Sequence, residues 1–206
     1  MKKHKGRKIE EKIYKDIAGM RQVVFKPLVL FLDKVGVTPN MMSYTGVLVM
    51  ILFAYMLPID LMVAFYLALI GFLIDLVDGP LARYQKVSSD KGKFIDMVCD
   101  SLVFTIFCVG LVYAGLANGL VAVVFVYVML MDKLLRCIRN GVYYKSKWLF
   151  KAVAGFVPNF IVGIIYALFV AYFITGWNFI TWGMLWCGII LIIDSVLKYR
   201  KILSLR

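Results

Sequence analysis

Hydrophobic residues follow two patterns along this chain. Between residues 9 and 32 they recur at Ile9, Ile13, Ile17, Met20, Val24, Leu28 and Leu32, with Lys12, Lys15, Arg21 and Lys26 between them. That near-helical period predicts an amphipathic helix with its cations facing anionic headgroups at a membrane surface. A helix packed across the ends of a bundle would carry the same pattern. Pro27 is placed to kink or break it. From Met41 onward the pattern becomes long apolar runs separated by short polar connections, which predicts membrane-spanning helices. Six spans are expected, at 41–57, 62–83, 91–113, 120–138, 153–174 and 181–197. A turn at Gly36–Asn40 leads into the first, and Pro58 and Asp60 mark its far end. Residues 1–40 therefore read as a basic tail and juxtamembrane helix, and 41–206 as one six-span, all-α membrane domain. Gly115 and Gly119 have the spacing of a helix-dimerisation motif but straddle a connection, and read as turn residues.

Composition agrees with the pattern. The chain has 206 residues, of which 63% are hydrophobic, with a mean hydropathy of +0.86. A soluble domain is nearer half apolar. The net charge of +12 raises the possibility of nucleic acid, but its distribution argues against that. Every Lys and Arg lies within 2–34, 83–93, 133–151 or 198–206, and the connections near residues 58–61, 115–118 and 175–181 hold none. Alternate basic connections mark the cytoplasmic side, so both termini and the Arg83–Lys93 connection are expected there. Cys99, Cys108, Cys137 and Cys187 lack metal-site spacing and read as small core residues. The one histidine, His4, lies in the basic tail, which argues against a His-assisted nucleophile.

Four carboxylates interrupt the apolar runs. Asp75 and Asp78 stand three residues apart, and Asp96 and Asp100 four apart, so each pair shares a helix face. Asp75 lies about 12 Å into its helix counted back from Arg83, and Asp100 about as far beyond Lys91–Lys93 on the antiparallel neighbour. The two pairs are expected to meet at one depth. Ionised carboxylates are costly in such a segment unless they bind a cation. An all-oxygen set favours Mg²⁺ or Mn²⁺ over zinc or copper, and four carboxylates suggest two ions of the kind that clamp a phosphate or diphosphate. Gly79, Ala82 and Gly92 remove bulk beside the acids, so a flat group can approach the backbone. Arg83 can offer paired donors to a phosphate, and Pro80 removes a helix hydrogen bond, opening space. Taken alone, the four acids fit a cation transporter as well, although no internal repeat accompanies them. Asp194, four residues before Lys198, reads as an ordinary i,i+4 ion pair outside the site.

The stretch Asp75-x-x-Asp78-Gly79-x-x-Ala82-Arg83, then eight residues, then Gly92-x-x-x-Asp96-x-x-x-Asp100 matches every fixed position of the CDP-alcohol phosphotransferase signature. With the span layout, the N-terminal helix and the Thr38-Pro39-Asn40 turn, the chain resembles that family over most of its length. The resemblance implies a membrane enzyme in which an alcohol displaces CMP from a CDP-linked lipid. It implies that Asp75, Asp78 and Asp96 bind metal, that Asp100 completes the second metal site and takes the acceptor's proton, and that Gly79, Ala82, Arg83, Gly92 and Asn40 bind the CDP moiety. Family members commonly form homodimers.

The acceptor is read from Lys133, Arg136 and Arg139, which recur every three residues at the cytoplasmic end of the fourth span, followed by Lys145, Lys147 and Lys151. They suit either a positive-inside belt touching lipid headgroups or a pocket for a phosphorylated polyol such as inositol phosphate or glycerol 3-phosphate. A neutral acceptor such as serine, or a CDP-linked headgroup as donor, remains the alternative.

Overall fold

A computed structural model of the chain describes residues 16, 18–87, 89–139 and 156–203. The basic tail (1–8), the first part of the amphipathic segment, and Lys145, Lys147 and Lys151 lie outside the described residues. All regular structure among the described residues is helical. Residues 18–24 form a helical stretch that stops at Phe25, and α1 (Lys26–Lys34) starts afresh with Pro27 in its first turn. A proline there forfeits only an amide that has no intrahelical partner, so the break falls just before it.

The chain continues through α2 (Pro39–Met56), α3 (Leu61–Tyr84), α4 (Asp90–Tyr113), α5 (Gly119–Ile138), α6 (Phe156–Thr175) and α7 (Ile180–Leu203). Side-chain caps fix four of these starts. The Thr38 hydroxyl accepts from the Met41 amide, Asp60 from Met62 and Val63, Ser89 from Gly92, and Asn118 from Val121. Each cap satisfies amides that a helix start leaves without partners. Gly115 and Gly176 follow the ends of α4 and α6 with φ of +71° and +73°, a backbone conformation costly for other residues. α3 runs through Pro80 without ending, and α7 extends past the expected residue 197 because Lys198–Lys201 continue the helix.

Among the described residues, four helices are long and apolar enough to cross a membrane: Pro39–Met56, Leu61–Tyr84, Lys91–Tyr113 and Ile180–Arg200. α6 contributes a shorter apolar stretch, Phe160–Thr175. α5 is interrupted by Asp132, Lys133 and Arg136 in its last two turns. The bundle's outer faces are lined with exposed apolar side chains such as Leu48, Ile51, Leu52, Leu73 and Ile193.

α2 lies against both α3 and α4, while α5 and α6 pack chiefly on α7. An aromatic cluster joins the two groups. Phe107 of α4 stacks on Phe53 of α2 (centroids 5.1 Å apart) and on Tyr166 of α6 (4.4 Å), and Phe169 meets both phenylalanines edge-on. Apolar surface gives helices little reason to associate inside lipid, so close packing of small residues and interlocking rings must hold them. At the basic end of the bundle α1 lays Val29 on Val77 and Leu81 of α3, and the Gln85 amide donates to Asp33 (2.9 Å) and to the Val37 carbonyl (3.0 Å). Leu28, Leu30 and Phe31 on α1 stay exposed. α1 therefore packs on the bundle end and presents an apolar face outward as well.

Gly110 sets the α2–α4 distance. A Cβ placed there would lie 3.0 Å from the Ala54 Cα and 3.1 Å from its Cβ, atoms that move only with the backbone of α2. Gly110→Leu is expected to cost about 1–3 kcal/mol through overpacking and to lower the thermal midpoint of the detergent-solubilised protein. Gly163→Leu, at a position with nothing within 4 Å, is the control and should leave the midpoint nearly unchanged.

Candidate metal and nucleotide site

α3 and α4 are joined by a short connection and run antiparallel, so residues three to four apart on one helix meet residues three to four apart on the other. Asp75 lies within hydrogen-bonding range of Asp100, and Asp78 of Asp96. Carboxylate oxygens of Asp75, Asp78 and Asp100 all fall within 4.8 Å of one another. The expected meeting of the two pairs is thus what the fold produces. Asp78 is buried, Asp100 half-buried and Asp75 exposed, so the cluster runs from the interior of the helix pair outward. Three to four hard oxygens at this separation fit a divalent ion of the Mg²⁺ or Mn²⁺ class, and leaving them close together without a cation would be costly.

Beside the acids is a cavity of about 300 Å³. It is lined by Asp78, Gly79 and Ala82 of α3, by Gly92 and Asp96 of α4, and by Asn40 at the start of α2. Five of the signature positions and the Asn40 turn therefore share one cavity. Thr38, Ser43, Gln85, Ser89 and Lys93 complete much of its wall, and the sequence reading did not single them out as ligands. Ser43 also stands within hydrogen-bonding range of Asp96. A helix-start Thr-Pro-Asn followed by a serine one turn later is the signal that could have pointed to it.

The two glycines differ in what they permit. A Cβ on Gly79 would sit 3.5 Å from Arg83 Nη1, an ordinary contact, so its absence simply leaves room. A Cβ on Gly92 would sit 3.2 Å from the Ser89 hydroxyl and 3.8 Å from Asn40 Oδ1. Gly92 therefore also lets the α4 cap and the α2 start approach each other. Arg83, one turn beyond Gly79, donates from Nε to Gln22 Oε1 at 2.9 Å and from Nη2 to the Ala18 carbonyl at 3.4 Å. The N-terminal helical stretch thus reaches the guanidinium directly, a contact that residue spacing could not reveal.

Lys133, Arg136 and Arg139 do not form one stripe. Three residues advance a helix by 300°, so successive members swing 60° around the axis. Lys133 crosses to α4 and donates to the Ser101 hydroxyl at 2.9 Å, one residue from Asp100. Arg136 turns to Asp132 one turn back, its Nε 3.4 Å from Asp132 Oδ2, and its Nη2 is buried with no hydrogen-bond partner among the described residues. Arg139 is buried. Asp194 does pair with Lys198, at 2.6 Å, but Lys198 is itself buried and shared with Asp132 of α5. Asp132 was missed from the sequence. Its signal was an acid interrupting the apolar run of α5 four residues before an arginine.

Comparison with known proteins agrees with this geometry. Residues 36–193 match the family described as CDP-alcohol phosphatidyltransferase. A protein of Aquifex aeolicus (strain VF5), itself described only as uncharacterized, is 36% identical over 78 residues. That stretch spans 37% of this chain and 40% of the relative. With the family match covering most of the chain, and Asp78, Gly79, Ala82, Gly92 and Asp96 of the signature lining one cavity, the chain belongs to the CDP-alcohol phosphatidyltransferase family of phosphotransferases.

Proposed function

We propose that this chain transfers the phosphatidyl group, or its ether-lipid equivalent, from a CDP-linked lipid to the hydroxyl of a polar alcohol and releases CMP. The observation that carries the reading is the convergence of Asp75, Asp78 and Asp100 within 4.8 Å of one another beside the cavity lined by Gly79, Ala82 and Gly92. Two divalent ions held by Asp75, Asp78, Asp96 and Asp100 would supply charge neutralisation at the diphosphate and acidify the attacking hydroxyl. Asn40, Gly79, Ala82 and Gly92 receive the cytidine end, their small or amide side chains letting it lie close to the backbone. Arg83 binds the diphosphate from the rim, exchanging its contacts to Gln22 and Ala18 for phosphate oxygens. Asp100 takes the proton as the acceptor oxygen attacks the β-phosphorus, the bond to the CMP oxygen breaks, and CMP leaves with both electrons of that bond.

The six-span arrangement, with α5 and α6 completing the count, belongs to the same proposal. So do an interfacial position for the N-terminal helix and a cytoplasmic location of both termini and the site, supported by the confinement of Lys and Arg to alternate connections and the two ends of the sequence. The contacts with membrane lipids follow from it, and a homodimer rests on the family resemblance alone. For the acceptor we propose a phosphorylated polyol such as glycerol 3-phosphate or inositol phosphate, held by Lys133, Arg136 and Arg139. Lys133 beside the acidic cluster and the buried Nη2 of Arg136, which has no hydrogen-bond partner among the described residues, support this choice, since a buried guanidinium ordinarily has its donors satisfied.

CMP release by the purified protein from CDP-diacylglycerol, assayed against a panel of alcohols, tests the reading. Turnover is expected to vanish in excess EDTA and to return with Mg²⁺ or Mn²⁺ but poorly with Zn²⁺; full activity in EDTA contradicts it. Asp100→Asn keeps the shape of the side chain but cannot accept a proton at neutral pH. It should leave CDP-lipid binding near normal and reduce turnover by at least about a hundredfold. Lost nucleotide binding would instead make Asp100 chiefly a metal ligand. Arg136→Ala should raise the KM of the phosphorylated acceptor roughly ten- to a hundredfold, through loss of a charge-assisted hydrogen bond, with little change in the KM of the CDP-lipid. An equal, mild effect on both substrates supports the headgroup-belt alternative.

A further inference from the structure

We propose that Asp132 is a positioning residue that sets how α5 presents Arg136 and Lys133 to the acceptor, an inference that rests on the acceptor reading above. The Asp132 side chain is completely buried. Its Oδ1 accepts from Lys198 Nζ and, at 3.2 Å, from the Ser195 hydroxyl, both on α7. Its Oδ2 faces Arg136 Nε at 3.4 Å on α5 itself. Lys198, only 2% exposed, also donates to Asp194 at 2.6 Å. Two carboxylates and two cations thus form one charge-balanced cluster between α5 and α7, within helices that are otherwise strongly apolar.

Such a cluster is a poor device for stability. Taking four charges out of water costs about as much as their mutual attraction returns, and apolar side chains of similar volume often hold helices at least as well. What an ion cluster adds is geometry. α5 packs mainly against α7 and touches α4 less, so the grip of α7 on Asp132 decides the rotation and depth of α5. Lys133, the next residue, lies a further 100° around the helix, which carries it to Ser101 on α4 and the edge of the acidic cluster. Arg136, one turn on, has its Nε 3.4 Å from Asp132 Oδ2, an ion pair without a formed hydrogen bond, and its Nη2 has no hydrogen-bond partner among the described residues. A carboxylate that fixes one edge of a guanidinium orients the other edge for a phosphate, much as an outer carboxylate orients a metal-binding histidine. Without Asp132, Arg136 and α5 would both be free to turn.

The test is a kinetic cycle on the full-length protein in mixed micelles. Its substrates are CDP-diacylglycerol and whichever of glycerol 3-phosphate and myo-inositol 1-phosphate supports CMP release. Asp132→Asn leaves Lys198 with one fewer counter-charge and can fail to fold, so it is paired with Asp132→Asn/Lys198→Met, which removes the two most deeply buried charges of the cluster and keeps it charge-balanced. The double variant is expected to keep the thermal midpoint within a few degrees. It should raise the acceptor KM about tenfold or more, the scale of a lost charge-assisted contact, with the CDP-lipid KM unchanged. In an Arg136→Ala background the same pair of changes should add little, because residues acting through one contact are not additive. A wild-type acceptor KM in Asp132→Asn/Lys198→Met overturns the positioning role. So does an effect that multiplies with Arg136→Ala, or one that falls equally on both substrates. If Arg136→Ala alone leaves the acceptor KM unchanged, the acceptor reading fails, and the positioning role falls with it.

Discussion

The approach of four carboxylates across one antiparallel helix pair is the constraint on which the rest of the structure depends. Helices in a bilayer are not pressed together by their apolar surfaces, and Asp75, Asp78, Asp96 and Asp100 in ionised form repel one another. α3 and α4 therefore need other contacts to hold them at the distance where Asp75, Asp78 and Asp100 bring oxygens within 4.8 Å of one another. Those contacts are identifiable. α2 lies against both helices, brought close by Gly110 at Ala54 and by Gly46 at Ile74. The stacked Phe53, Phe107 and Tyr166 lock that arrangement one to two turns from the acids. The aromatic core joins the helices, and the acidic cluster gathers like charges beside it. A divalent ion held there would turn the repulsion into a binding site.

Much of this was legible in the residues. The period of the apolar runs located the starts of α2 to α5 and α7 to within two residues, and Pro39, Asp60, Ser89 and Asn118 explain four of them as first-turn or capping residues whose backbone preferences are local; the expected start of the fifth span at 153 lies outside the described residues. The meeting of Asp75 with Asp100 and Asp78 with Asp96 followed from helix rise alone, since a short connection leaves an antiparallel pair little freedom in register. Pro27 broke the amphipathic segment where a proline in a first turn must.

What stayed hidden depends on rotation about helix axes and on contacts between distant segments. Lys133, Arg136 and Arg139 look like a stripe in sequence, but a three-residue spacing drifts around the helix, and Lys133 and Arg136 turn to different neighbours. Asp132 could not be assigned without knowing that α7 returns alongside α5 and offers Lys198 and Ser195 at the same depth. The contact of Gln22 with Arg83 spans 61 residues and belongs to the tertiary fold. Sequence periodicity carries the phase of one helix; the relative phase of two helices is set by packing, and the surroundings of Lys133, Asp132 and Arg136 depend on that relative phase.

The central claim is that the α3–α4 carboxylates hold divalent ions against a cytidine diphosphate group. Counting Mn²⁺ on the purified protein by electron paramagnetic resonance, with and without CDP, addresses it without relying on turnover. The account predicts two ions per chain in the presence of CDP, and none bound tightly by Asp78→Asn. Full stoichiometric binding by that variant, or no Mn²⁺ held by the wild-type protein with CDP present, would contradict it.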